Sequence, residues 1–310
     1  MQITASMVKE LRDLTGAGMS ACKNALTEAA GDIKRASEIL REKGLAAAAK
    51  KAGRIAAEGL VAAAVSDNKK SGTLVEVNSE TDFVAKNEDF ITFVKNMAVH
   101  ALASDAASNE ELLALPWTAD TSQTAGEVLT GKIAIIGENI GLRRFAKFDA
   151  SANSIIVEYI HGGGRVGAMI EISADEINDQ VAEAGKNICM QIAAMSPQYL
   201  SRTDVPAEVV ASETEIITRH AFAENETEKK PRPEHIIKNN IVPGRVAKAL
   251  DAICLLQQDY VRDDKKTVEE YLKSVGSNVK ILRYIRFEKG EGIEKKEENF
   301  ADEVAKAIQG

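Results

Sequence analysis

From Thr4 onward, apolar residues recur at helical spacing. Met7, Val8, Leu11 and Leu14 form one stripe behind a Thr4 cap, and Thr15-Gly16-Ala17-Gly18 ends it. Ser20 opens a second stripe of Ala21, Ala25, Leu26 and Ala29, closed at Gly31. Asp32 opens a third, with Ile33, Ala36, Ile39 and Leu40 inward, which Gly44 is expected to stop. Leu45–Arg54 is basic and alanine-rich and reads as a helical or partly extended linker. Residues 1–54 are thus expected to form a three-helix domain with its linker. Some 40 residues make a marginal core alone, and the helices lack the clustered basic residues of a DNA reader, so a protein-docking module is expected.

The period then changes from helical to alternating. Gly59–Asp67 reads as a strand, Asn68–Gly72 as a turn and Thr73–Asn78 as the returning strand. Thr81–Asn87 connects it to a helix over Asp89–Leu102. The same order returns about 95 residues later. Ser154–His161 is a strand, Gly162-Gly163-Gly164-Arg165 a turn, Val166–Ser173 a strand and Ala184–Met195 a helix. At this offset Gly72 meets Gly167, Val61 meets Ile156 and Glu76 meets Glu171. The pattern predicts two related α+β subdomains with antiparallel strands, over residues 55–140 and 141–287. Between them, Ser108–Thr130 reads as an irregular connector before Glu127–Ile136 resumes a helical pattern. Residues 206–255 read as an inserted helical hairpin of coiled-coil type, its charged turn at Glu224–Pro233 and its second arm kinked at Pro243-Gly244. Thr267–Val275 is expected as a helix and Val279–Phe287 as a strand; residues 288–310 form a C-terminal module with an amphipathic helix over Asn299–Ile308, capped by Asn299.

Composition narrows the class without changing this layout. The 310 residues are 45% hydrophobic and 28% charged, ordinary for a globular chain. No apolar run approaches the roughly 20 residues of a membrane span. The opening residues lack the basic start and apolar run of a signal peptide, which points to a cytoplasmic location. A net charge of -8 argues against direct binding to nucleic acid or to anionic membranes and favours a protein partner. Cys22, Cys189 and Cys254 are dispersed, so neither a disulfide framework nor a zinc site is indicated.

Catalytic chemistry is hard to assemble from these residues. His100, His161, His220 and His235 fall in different elements without metal-ligand spacing. Gly162-Gly163-Gly164-Arg165 resembles a phosphate-cradling loop but joins two strands and lacks the lysine and hydroxyl of a P-loop. No nucleophile and base can be paired, and the carboxylates read as scattered along solvated helix faces. No catalytic residue, metal or cofactor is therefore assigned. What stands out is Phe83, a large aromatic beside Asp82 in a connector expected to be polar. By residue type alone it belongs in the core beneath the connector.

Four segments together carry a resemblance: Leu11-Arg12-Asp13-Leu14-Thr15-Gly16-Ala17-Gly18-Met19, Thr81-Asp82-Phe83-Val84-Ala85-Lys86-Asn87, Ile136-Gly137-Glu138-Asn139, and Arg286-Phe287-Glu288-Lys289-Gly290-Glu291-Gly292-Ile293-Glu294-Lys295. In this order they make the chain resemble the bacterial elongation factor Ts family. The resemblance implies an N-terminal domain like ubiquitin-associated modules, the paired core subdomains, the coiled-coil hairpin and the C-terminal module. It implies a guanine-nucleotide exchange factor, without chemical turnover, whose partner is elongation factor Tu in its GDP-bound and nucleotide-free forms. The Thr81, Asp82, Phe83 and Val84 stretch would enter beside the partner's Mg²⁺ and phosphate site, with Phe83 in an apolar pocket. Met19, Ile136, Gly137 and His161 would make further partner contacts, and two exchange factors pairing in one complex is a stoichiometry the sequence leaves open. The competing reading is a protein scaffold of the translation apparatus that joins partners without affecting nucleotide. Ser79-Glu80 departs from the usual family residues and places an extra charge beside Phe83.

Overall fold

The computed structural model describes residues 3–294, so the expected helix over Asn299–Ile308 and most of the C-terminal module lie outside the described residues. The chain opens with α1 (Ala5–Thr15), α2 (Met19–Glu28) and α3 (Ile33–Lys51). Thr4 and Asp32 cap α1 and α3 through side-chain oxygens, as the sequence predicts, whereas Ser20 does not cap α2: that helix starts at Met19 with Gly18 at its N-cap and no side-chain bond there. Val8, Leu11, Cys22, Ala25, Leu26, Ala36 and Ile39 form their shared core. The third helix, however, does not stop at Gly44. The following alanines favour continuation by more than one glycine opposes it. Gly44 is buried instead at a helix crossing, where an added Cβ would sit 3.4 Å from Ala134 Cβ.

Two three-stranded antiparallel sheets come next. The first has β1 (Glu58–Val65), β2 (Ser71–Ser79) and β5 (Gly141–Asp149) in the order β1-β2-β5. The second has β6 (Ser154–His161), β7 (Val166–Ser173) and β10 (Lys280–Glu288), with β7 central. The fold is α+β, as expected. The first sheet takes its third strand from beyond the division expected at residue 140. β5 has no clean alternation, because Arg143 and Arg144 are both drawn to the Glu76 carboxylate. Each sheet packs a long helix on its outer face: α5 (Glu88–Leu102) on the first, α8 (Asp179–Met195) on the second.

The inner faces meet in a third core of Val61, Leu74, Phe148, Ile156, Met169 and Phe287. Here the internal repeat becomes physical. Gly72 leaves room for Ile156, whose Cγ2 would lie 2.5 Å from an added Cβ; Gly167 leaves room for Val61, at 2.6 Å. Arg144 pairs with Glu76 and lies over the Phe287 ring, and Arg283 pairs with Glu171 and lies over Phe148. Glu76 and Glu171 are thus buried charges with several donors each, not members of a solvated face.

The segment expected as an irregular connector is ordered. It contains α6 (Asn109–Ala114), a small hairpin of β3 (Pro116–Trp117) and β4 (Asp120–Thr124), and α7 (Ala125–Ile136). Trp117 is buried against Phe93 and His100, and His100 is held by Thr118 Oγ1 at 2.8 Å and Leu112 O at 3.1 Å. The second half repeats this piece as β8 (Asp259–Tyr260), β9 (Asp263–Thr267) and α12 (Val268–Val275), with matching capping boxes at Thr124/Glu127 and Thr267/Glu270.

The inserted hairpin pairs α9 (Ala207–Thr227) with a second arm made of α10 (Glu234–Ile236), a π-helical stretch at Ile237–Ile241 and α11 (Val242–Ile253). The departure from α-helical geometry falls immediately before Pro243. A π-turn accommodates the ring and the missing N–H there without breaking the arm. No helix of the described residues is long and apolar enough to cross a membrane.

Candidate functional site

The connector after β2 is not an extended loop. Thr81 has extended backbone and its Oγ1 accepts from the Val84 amide at 3.4 Å, starting the one-turn helix α4 (Asp82–Ala85). Asn87 then caps α5, its Oδ1 accepting from Asp89 and Phe90 amides at 2.8 and 3.3 Å. Val84 and Ala85 point into the core under the first sheet. One helical turn carrying buried residues at Val84 and Ala85 must present its first residues outward. Phe83 is 81% exposed, the most exposed large apolar side chain among the described residues. The core position expected from residue type alone is therefore overturned. The cause is local: Val84 and Ala85 already fill the space beneath the turn.

Asp82 lies on the same exposed side with Lys86 one turn on, Oδ2 to Nζ 2.6 Å. The hydrogen bond from the Lys86 ammonium holds the Asp82 carboxyl below the usual carboxylate range, so it is an anion in neutral solution. Phe83 is thereby flanked by charge on a surface bulge.

A second turn lies beside the first. α7 ends at Gly137, whose φ of +86° and amide bond to Ile133 O (3.0 Å) form a left-handed cap. Glu138 and Asn139 come directly after it. The Glu138 carboxylate accepts from the Glu80 and Thr81 amides, at 3.1 and 3.0 Å, and from the Thr81 hydroxyl at 2.6 Å. In the opposite direction the Asn139 amide donates to Glu80 Oε1 at 2.5 Å, and Asn139 Nδ2 donates to Arg54 O at 2.8 Å. Arg54 Nη1 also lies 3.4 Å from Glu80. The charge at Glu80, unusual in the sequence, is thus tied into the frame of the turn.

The structure brings Thr81, Asp82, Phe83 and Val84 together with Gly137 through this frame. Ile136 is half-buried against the first core, whereas its neighbour Ile135 is 45% exposed and lies next to Gly16. Met19 is 48% exposed at the start of α2, and Leu14 is more exposed still at the end of α1. Leu14, expected on the inner stripe of α1, faces outward instead, and neither Ile135 nor Glu138 is assigned a contact by the sequence. Glu138 sat inside a quoted motif, but nothing in the linear order shows that it reaches residues so far back in the chain. His161 lies elsewhere, on the β6–β7 turn, exposed and bonded to the Tyr159 hydroxyl at 2.9 Å. That turn abuts β1, with the Val61 amide donating to Gly164 O at 2.8 Å. The Gly162-Gly163-Gly164 run is therefore a hairpin turn that packs one subdomain on the other.

Residues 80–291 match the family model described as elongation factor TS. Among curated relatives, the elongation factor Ts of Clostridium botulinum is 49% identical over 310 residues, covering 99% of each chain. The protein of the same name from Clostridioides difficile is 49% identical over 311 residues, and that from Clostridium acetobutylicum 50% over 311 residues, each again covering 99% of both chains.

Proposed function

The chain belongs to the elongation factor Ts family, and from that premise we propose that it is a guanine-nucleotide exchange factor that promotes GDP release from elongation factor Tu. The observation that carries this reading is Phe83, fully outward on a short helix whose other face is anchored in the core. In the complex the Thr81–Val84 turn enters beside the Mg²⁺ and phosphate site of the GTPase, Phe83 filling an apolar pocket and Asp82 lying at its rim. Ile136 and Gly137 make the adjacent contact. Met19 and the C-terminal segment hold the GTPase domain, and His161 reaches a further domain of the partner.

Linkage supplies the mechanism. If this factor and GDP each weaken the other's binding to the GTPase, the effect is equal in both directions, so strong binding to the empty form expels nucleotide. Burying one phenylalanine contributes roughly 1.5–3 kcal/mol, far less than a tightly held Mg-nucleotide represents. The remaining surface must therefore contribute the affinity, and the turn applies it at the nucleotide site. No covalent step is involved, and Asp82 acts by charge and position rather than as an acid or base.

The test is the release rate of fluorescent GDP from elongation factor Tu. Wild-type protein should accelerate it, and Phe83→Ala should remove most of the acceleration. Wild-type protein that binds with an affinity indifferent to GDP, and leaves release unchanged, would overturn exchange in favour of a scaffold.

A further inference from the structure

The turn bearing Phe83 is too short to hold its own shape. A single helical turn fixes several backbone angles for very few hydrogen bonds, and isolated helices of this length do not persist in water. Two things outside it supply order. One is burial of Val84 and Ala85. The other is the carboxylate of Glu138, which takes both amides at the entry to the turn and the hydroxyl of its capping residue.

The direction of that last bond matters. The Thr81 hydroxyl donates to Glu138 Oε1 at 2.6 Å, which fixes its rotor and turns its lone pairs toward the Val84 amide that it caps. Glu138 thus acts on the first turn of α4 through Thr81. The reciprocal bond from the Asn139 amide to Glu80 prevents the two turns from sliding apart. The turn carrying Phe83 and the turn carrying Gly137 are joined as one body.

We propose that Glu138 is a positioning residue for nucleotide exchange: it holds Phe83 in its outward pose before the partner arrives, so that the ordering cost is met on folding rather than in the docked complex on the way to nucleotide release. This rests on the exchange function proposed above. It makes Glu138 a determinant of the rate of release at saturation more than of affinity, because the bulk of the docking surface lies elsewhere.

The experiment uses the full chain and measures fluorescent GDP release from elongation factor Tu against exchange-factor concentration, giving a maximal rate and a half-saturating concentration. Glu138→Ala should lower the maximal rate by about tenfold, the equivalent of one or two lost hydrogen bonds, and move the half-saturating concentration by less than about threefold. Glu138→Gln should fall between wild type and Glu138→Ala, since its carbonyl can accept both amides while its NH₂ can only donate to Thr81 Oγ1 and so reverses the bond that orients the hydroxyl. Amide hydrogen exchange should show lost protection at Glu80 and Thr81 in Glu138→Ala and retained protection in Glu138→Gln. In a Phe83→Ala background, Glu138→Ala should add no further loss. A wild-type chain that does not accelerate release overturns the proposed function itself. A wild-type chain that accelerates alongside Glu138→Ala of equal maximal rate overturns the positioning role alone, as does an undiminished Glu138→Ala effect in the Phe83→Ala background.

Discussion

Phe83 and Glu171 show opposite uses of one residue. Phe83 leaves its side chain in water, so Phe83→Ala should shift the unfolding free energy by no more than about 0.5 kcal/mol even as GDP release falls. Chemical denaturation and the release assay, run on the same preparation, separate the two. Glu171 is spent on stability. Burial alone would raise its carboxyl, but the Ser151 hydroxyl and amide, the Ser154 hydroxyl and the Arg283 guanidinium outweigh that and lower it to about 2. Its value in the unfolded chain is the ordinary one, above the folded value, so the ionised form contributes stability that is complete above the ordinary carboxylate range and is lost as pH falls toward about 2. The contribution is on the order of 3 kcal/mol. Glu171→Gln should be less stable at neutral pH and should flatten the wild-type loss of stability across that acid window, measured by denaturant titration at stepped pH.

At the scale of elements, sequence signals compete and the stronger local preference or the tertiary neighbour decides. Gly44 reads as a stop because glycine opposes helix by about 1 kcal/mol, yet the alanines after it and α7 beside it carry α3 on to Lys51. Gly44→Ala places a Cβ at ordinary contact distance from Ala134, in a right-handed helical position. It should therefore raise stability by about 0.5–1 kcal/mol, read as a higher denaturation midpoint with unchanged slope. The β3–β4 hairpin was illegible for another reason. Its strands are too short to show a period, and Trp117 finds its place only against Phe93 and His100, which belong to α5.

Across the whole molecule, the two halves are held by a near-symmetric exchange in which each sheet's glycine receives an aliphatic side chain of the other. Gly72→Ala would put a methyl 2.5 Å from Ile156 Cγ2 and 3.0 Å from Met169 Sδ, so it should cost about 1–3 kcal/mol and loosen one sheet from the other. The same added methyl that stabilises at Gly44 should destabilise here. Unfolding followed by denaturation on both variants tests the contrast. The C-terminal motif enters the same joint: the Gly290 amide donates to Glu76 at 2.8 Å, while Arg143 and Arg144 bind Glu291. The motif expected to begin a separate module therefore also closes the core.

The sequence alone determined what depends on near neighbours in the chain: the N-terminal helices with the caps at Thr4 and Asp32, the two strand pairs, the helical hairpin, the repeat, and through four motifs the family. Periodicity and capping are local, so they are written in order along the chain. Only the tertiary structure decided the face shown by Phe83, the burial of Glu76 and Glu171, the third strand of the first sheet, and the bond from Glu138 back to Thr81. Each of these pairs residues distant in sequence, and such pairings are fixed by which groups compete for the same buried space and the same hydrogen-bond donors.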